Sequence, residues 1–192
     1  IKLLQNQARL FHKQKNYPEV IQSIEHMLVQ GDTTDYYQLM IGVSYLQVDS
    51  VDHALHHLEA LEKRGEKSEH LFHYLGLAYR DNDQPEKAAT YLELAIQEAV
   101  SPKMHLYLAD LAQLKEEQGD HKKAIELYQQ AYAEKEEAEY LFRLARNTDI
   151  YYKDKKIAIR YYQQYLATED RKFRNYATER ITHLKELVHF GG

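Results

Sequence analysis

Apolar residues in this chain recur three and four positions apart in short blocks, and polar turn residues separate the blocks. Phe72, Leu75, Gly76 and Tyr79 show the spacing, as do Ala88, Leu92 and Ala95 in the block that follows. This is the signature of amphipathic helices with one buried face. The pattern predicts helices at 2–14, 17–30, 35–47, 51–64, 68–81, 84–99, 102–118, 121–134, 137–152 and 155–168. A last helix, at about 172–189, carries Phe173, Tyr176, Ala177, Ile181, Leu184 and Val188 on one face, with Arg174, Glu179, Lys185 and Glu186 on the other. Asn16, Ser50, Asp120 and Asp154 stand where second helices begin and are good N-cap residues. Asn16 and Asp83 are each followed three residues later by Glu19 and Glu86, a capping-box arrangement. Ser101-Pro102 places proline at a tolerated first helical position.

The blocks also repeat as pairs. Ala54 and Ala88 are 34 apart, Ala124 follows after 36 and Ala158 after another 34. Gly42 and Gly76 keep the same interval, as do Gly31 and Gly65. A period of this length means stacked helix-turn-helix units that bury their faces against one another. Gly or Ala at the facing positions lets two helices approach closely, and Leu and Tyr fill the space beside them.

In residues 69–102, Phe72, Leu75, Gly76 and Tyr79 are followed by Ala88, Leu92 and Ala95. This resembles the tetratricopeptide repeat family, with Phe in place of its usual Trp. Residues 35–68 match with Ile41, Gly42, Tyr45, Ala54 and Leu58. Residues 1–34 carry Ala8, Phe11, Val20, Ile24 and Met27. Residues 105–138 carry Leu108, Leu111, Ala112, Ala124, Tyr128 and Ala131, with Lys115 where tyrosine is expected. In residues 139–172, Ala158 and Tyr162 keep register, but Leu144 and Ala145 read one residue early, which implies a one-residue insertion near Lys153. The resemblance implies an all-α, right-handed superhelical solenoid of five repeats with a polar-backed capping helix, forming a single domain over 1–192.

Several functional readings follow from the resemblance. In that family the first helix of each pair lines a concave groove that holds a peptide or protein segment. By register the lining is Lys2, Gln5, Arg9 and His12; Tyr36, Leu39, Val43 and Leu46; His70, His73, Leu77 and Arg80; Ala109, Gln113 and Glu116; and Phe142 and Arg146. The subtype that clamps chaperone C-terminal carboxylates uses a recurrent Asn, and here those positions read Arg9, Val43, Leu77, Gln113 and Arg146. That clamp is absent. Leu39, Val43 and Leu77 beside Tyr36 and His73 suit an apolar or amphipathic segment. The resemblance thus implies a non-enzymatic interaction scaffold. Alternatives are a self-associating structural module, and the scaffold part of a longer bacterial envelope or regulatory protein. Residues 151–166 also look like the last repeat of bacterial members, many of them exported, which leans the location toward the periplasm.

Composition narrows the chemistry. With Lys+Arg 25 against Asp+Glu 30, the net charge is -5, which argues against a general nucleic-acid surface. There are no cysteines, so disulfides, thiolate metal sites and a cysteine nucleophile are excluded. His53 and His57 sit one helical turn apart, but a stable metal site needs further ligands, and they are expected to be solvated surface residues. No phosphate loop, nucleophile elbow or zinc-protease motif is present, so neither catalysis nor a cofactor is expected. No apolar run reaches the ~18 residues of a membrane span. Ile1, Leu3 and Leu4 have no preceding repeat to cover them, so either sequence is missing before Ile1 or that end docks on something. The cluster Tyr151, Tyr152, Tyr161, Tyr162 and Tyr165 is expected to pack between the fifth repeat and the cap. Residues 105–138 hold four Lys/Arg and eight Asp/Glu, whereas 139–190 hold eleven and seven, a difference assigned to complementarity between neighbouring repeats.

Overall fold

A computed structural model describes residues 1–190. Among them are α1 (Lys2–Lys13), α2 (Tyr17–Val29), α3 (Asp35–Gln47), α4 (Val51–Lys63), α5 (Glu69–Asp81) and α6 (Pro85–Glu98). They continue as α7 (Met104–Glu117), α8 (His121–Glu134), α9 (Ala138–Tyr151), α10 (Lys156–Ala167) and α11 (Arg174–Phe190). The described chain is all-α, and every helix lies within two or three residues of its predicted span. It divides into two compact units, Ile1–Glu98 with α1 to α6, and a second from Ala99 onward with α7 to α11. Within each unit consecutive helices pair, and the second helix of one pair packs on the first helix of the next.

The turns explain the period. In the turns at 14–16, 48–50, 82–84 and 118–120 the middle residue is left-handed: Lys15 (φ 57), Asp49 (φ 56), Asp83 (φ 53) and Gly119 (φ 79). Each turn closes with the same long bond, from Asn16 N to Phe11 O, Ser50 N to Tyr45 O, Gln84 N to Tyr79 O and Asp120 N to Lys115 O, all 2.9 Å. This Schellman closure satisfies a helix-end carbonyl and requires the left-handed residue. It also corrects the capping assignments. Asp83 is used as that left-handed residue, so Gln84 precedes α6 and the expected Asp83–Glu86 box does not form. Asn16 and Ser50 make no side-chain capping bond, and the Ser50 hydroxyl instead lies 3.0 Å from His53 Nδ1. Asp120 does cap, accepting from Lys123 N at 3.1 Å, and Ser68 caps α5 through Leu71 N.

The turn at 152–155 has four residues where the other four have three, which is the insertion inferred near Lys153. No Schellman bond forms there. The Lys155 ammonium caps the end of α9 instead, donating to the carbonyls of Asp149 and Tyr152. Asp154, one residue before the N-cap Lys155, accepts from Lys156 N at 3.0 Å.

Close helix approach sits where the glycines predict it. A Cβ on Gly42 would lie 2.8 Å from Leu58 Cδ2, and one on Gly76 would lie 2.7 Å from Leu92 Cγ. The facing Ala54 and Ala88 are fully buried, as are Ala124 and Ala158 in the second unit.

Candidate binding faces

The first helices of unit 1 carry the sequence-assigned groove residues on α1, α3 and α5. Leu39, Val43, Leu46 and Leu77 are half-buried, so each still presents apolar surface to solvent. Val43 and Leu77 occupy the same register position on helices that touch directly. Leu39 and the exposed Tyr36 line a cleft of about 120 Å³ with Asp35, Leu61, Glu66, Ser68 and Leu71. Arg9 reaches from α1 over the rings of Tyr36 and Tyr37, 5.7 and 5.8 Å from their centroids. A guanidinium above an aromatic face is attracted by its quadrupole, so this contact orders Arg9 and Tyr36 together.

Other assigned residues of unit 1 have local partners. Gln5 donates to Asp32 Oδ2 at 3.0 Å and is tied to the inter-repeat turn. Hydrogen bonds from Thr34, then from Gln5, hold the Asp32 carboxyl below its ordinary range. His12 meets the ring of Tyr17 edge-on at 6.3 Å, and His73 lies against Tyr74 at 5.3 Å. His70 Nδ1 is 3.2 Å from Glu69, and Arg80 pairs with its neighbour Asp81.

Behind this face runs a ladder that sequence reasoning missed. Tyr45 donates to Glu25 at 2.6 Å and Tyr79 donates to Glu59 at 2.7 Å, each bond joining the second helix of one repeat to the first helix of the next. Burial and then the carboxylate push the Tyr45 phenol up to about 12. The two glutamates and the two tyrosines are each 34 apart, so the signal was present in the repeat. His53 and His57 stack on Tyr45 at 5.0 and 5.6 Å. His57 also hydrogen-bonds Gln38 at 2.9 Å, and burial lowers its pKa to about 4. The expectation of a solvated surface pair therefore fails for His57, whose ring fills space between α3 and α4. Among the described residues no group of three or more His, Cys, Asp or Glu could hold a metal.

In unit 2 the assigned residues Gln113, Glu116 and Arg146 lie on α7 and α9. Glu116 is 3.7 Å from both Arg143 and Arg146 and accepts from the Tyr128 hydroxyl at 3.4 Å. Gln113 donates to Glu117 and lines a cleft of about 230 Å³ with Leu106, Asp110, Tyr128, Tyr140 and Arg143. Arg143 was not assigned from sequence, although its i,i+4 spacing from Glu139 marks it as a paired residue. Phe142 is a correction. It is 4% exposed and stacks on Phe173 at 4.0 Å, beside Tyr162 and Tyr165. The segment leading into α11 covers the face that the same register leaves open in unit 1, and an aromatic is the residue that fills the contact. Of the tyrosine cluster, Tyr162 and Tyr165 are fully buried, Tyr161 is half-buried, and Tyr151 and Tyr152 remain exposed.

No protein-family model matches the sequence, and no curated protein matches it either. Solved structures do resemble it. A MamA protein superposes with a TM-score of 0.74 at 17% identity, covering 86% of this chain and 89% of that one. PilF of Pseudomonas aeruginosa gives 0.79 at 13%, covering 96% and 84%. A thermophilic TPR protein of Thermus thermophilus gives 0.65 at 18%, covering 96% and 100%. At these identities the likeness establishes the fold, which is that of tetratricopeptide-type helical repeats.

Proposed function

We propose that the chain is a non-enzymatic protein-interaction scaffold whose first-helix face takes an apolar or amphipathic peptide segment. The observation that carries this reading is the strip of Leu39, Val43 and Leu77, half-open on adjoining helices and bordered by Tyr36. Apolar side chains at a shared register position on neighbouring helices present anchors at the spacing an amphipathic segment uses. Closing that strip by internal packing would leave these side chains buried, as Phe142 is. The ordered Arg9–Tyr36 pair borders the strip with a cation on an aromatic, a pairing suited to recognising a partner.

The test is affinity capture from a lysate of the source organism, with Val43→Asp/Leu77→Asp as the control bait. The reading expects a protein held by the parent and lost by the control while helicity is retained. Equal recovery by both baits would move the binding role off this face.

A further inference from the structure

From the cleft between α7 and the start of α9 we infer a site for an arginine side chain of a partner peptide, held by Asp110, Glu137 and Glu139. The cleft is about 230 Å³ and lies wholly within unit 2. Its size has a local cause. At the register of Ala109 the other repeats carry Gln5, Leu39, His73 and Phe142, all larger, so a short side chain hollows the α7 wall here. The corresponding cleft of unit 1, beside Leu39, is about 120 Å³. At the register of Asp110 the other repeats carry Asn6, Met40, Tyr74 and Arg143. A small residue followed by a carboxylate occurs in no other repeat at these positions.

The lining suits each part of an arginine side chain. Leu106, 41% exposed, and Ala109 give the aliphatic stem apolar surface, and the buried Tyr128 and Tyr140 close the back. Asp110, Glu137 and Glu139 are half-buried and share the lining with the guanidinium of Arg143. That guanidinium is already answered, 3.7 Å from Glu116 and 3.5 Å from Glu139. Lys135 and Lys172 reach Glu137 and Glu139 from outside the cleft, at 2.6 and 3.3 Å. Both lysine side chains are more than half exposed, and ion pairs of that kind contribute little. The Tyr140 hydroxyl lies 2.8 Å from His105 Nδ1 and is engaged there. Burial, then Glu137, Asp110 and Glu139, push the Tyr140 phenol up to about 12, so the three carboxylates set one negative field across the cleft. A guanidinium carries five donors in a rigid fork and is weakly hydrated, so it meets carboxylates on two sides of an opening while its stem stays on apolar surface. Residues 105–138 hold four Lys/Arg and eight Asp/Glu, which draws a basic segment to this repeat at longer range as well.

The test titrates the isotope-labelled chain with the capped peptide Ala-Ala-Arg-Ala-Ala and follows backbone amide shifts by NMR. Saturable shifts are expected around Leu106, Ala109, Gln113 and Glu139, and affinity should fall about threefold between ~50 and ~200 mM salt. The same peptide with citrulline keeps the shape of arginine without its charge and should bind at least about tenfold more weakly. A lysine peptide, lacking the fork, should bind about threefold more weakly. Asp110→Asn/Glu137→Gln should lower affinity for the arginine peptide at least about tenfold with melting near that of the parent, since amides keep the shape of the carboxyl groups. The peptide has no large apolar residue, so its outcome is separate from that of the strip in unit 1. Absence of shifts at the cleft, a citrulline or lysine peptide that binds as well as the arginine one, or parent-like binding by the folded double variant would each overturn the proposal. If the double variant unfolds, the citrulline comparison on the parent decides alone.

Discussion

Unit 1 and unit 2 hold the same kind of helix pair together by different means. In unit 1 the contacts repeat. Glycine meets leucine at Gly42–Leu58 and again at Gly76–Leu92, and a tyrosine–glutamate bond recurs at Tyr45–Glu25 and Tyr79–Glu59. In unit 2 Ala112 and Ala145 stand in the glycine positions, and at the ladder positions Lys115 and Thr148 replace tyrosine. Its last pair relies on Asp149, 5% exposed, which accepts from Arg180 at 2.7 Å and 3.3 Å and faces Lys155 at 3.5 Å. An aromatic group built on Phe142, Phe173, Tyr162 and Tyr165 completes it. A repeat with a neighbour on each side can reuse one contact, while the pair that meets the terminal helix needs contacts of its own.

The largest break in that comparison is Phe142→Ala. Removing a fully packed phenylalanine should cost about 3–5 kcal/mol, read as faster hydrogen exchange in α9, α10 and α11 and a lower melting temperature. The sequence register assigns Phe142 to a groove, where truncation would leave stability nearly unchanged. A parent-like melt would therefore restore the groove assignment and remove the aromatic group as the support of the last pair.

Gly76→Leu probes the repeating contact of unit 1. Its Cβ would start 2.7 Å from Leu92 Cγ and 3.2 Å from Leu92 N, and backbone cannot yield as a side-chain tip can. Overpacking of this kind costs roughly 1–3 kcal/mol, and denaturant unfolding would show it as a lower midpoint. An unchanged midpoint would mean that α5 and α6 are not held at this glycine.

What could be read from the sequence follows from the same division. Periodic features were mostly legible, because each was seen several times: the helix spans, the close-contact glycines and alanines, and the register that the extra residue near Lys153 interrupts, although the recurring Tyr–Glu bond was missed. Features that occur once were not. Asp149 pairs with Arg180 across 31 residues, an interval unrelated to the period, so no pattern connects them. Phe142 holds a groove register, and its contacts with Phe173, Tyr162, Tyr165 and Tyr176 make it core. The capping box expected at Asp83 failed for another reason, although Asp120 caps as expected. Asp83 has the composition of an N-cap, but the Schellman turn needs a left-handed residue at that position, and aspartate tolerates that conformation. The groove positions assigned by register lie on the first helices, but the local partners of Gln5, Glu116 and Arg146 were not legible.

The smallest effect isolates the ladder. Tyr45→Phe removes one hydroxyl bonded to Glu25 at 2.6 Å and keeps the ring between α3 and the imidazoles of His53 and His57. The bond is only part-buried, so its loss should cost about 1 kcal/mol at neutral pH. Its pH dependence distinguishes it from a packing change. The phenol titrates near 10 when unfolded and is pushed up to about 12 in the fold, by burial first and then by the Glu25 carboxylate. The folded state therefore holds this proton more tightly. The contribution is complete below pH 10 and is lost as the pH rises from there through 12. Denaturant midpoints measured from about pH 8 to pH 12 should fall for both proteins, because Tyr91 and Tyr140 are also raised to about 12. The fall should be shallower for Tyr45→Phe. Parallel curves would mean that the Tyr45 hydroxyl is solvated in solution, and the recurring Tyr–Glu bond would no longer separate unit 1 from unit 2.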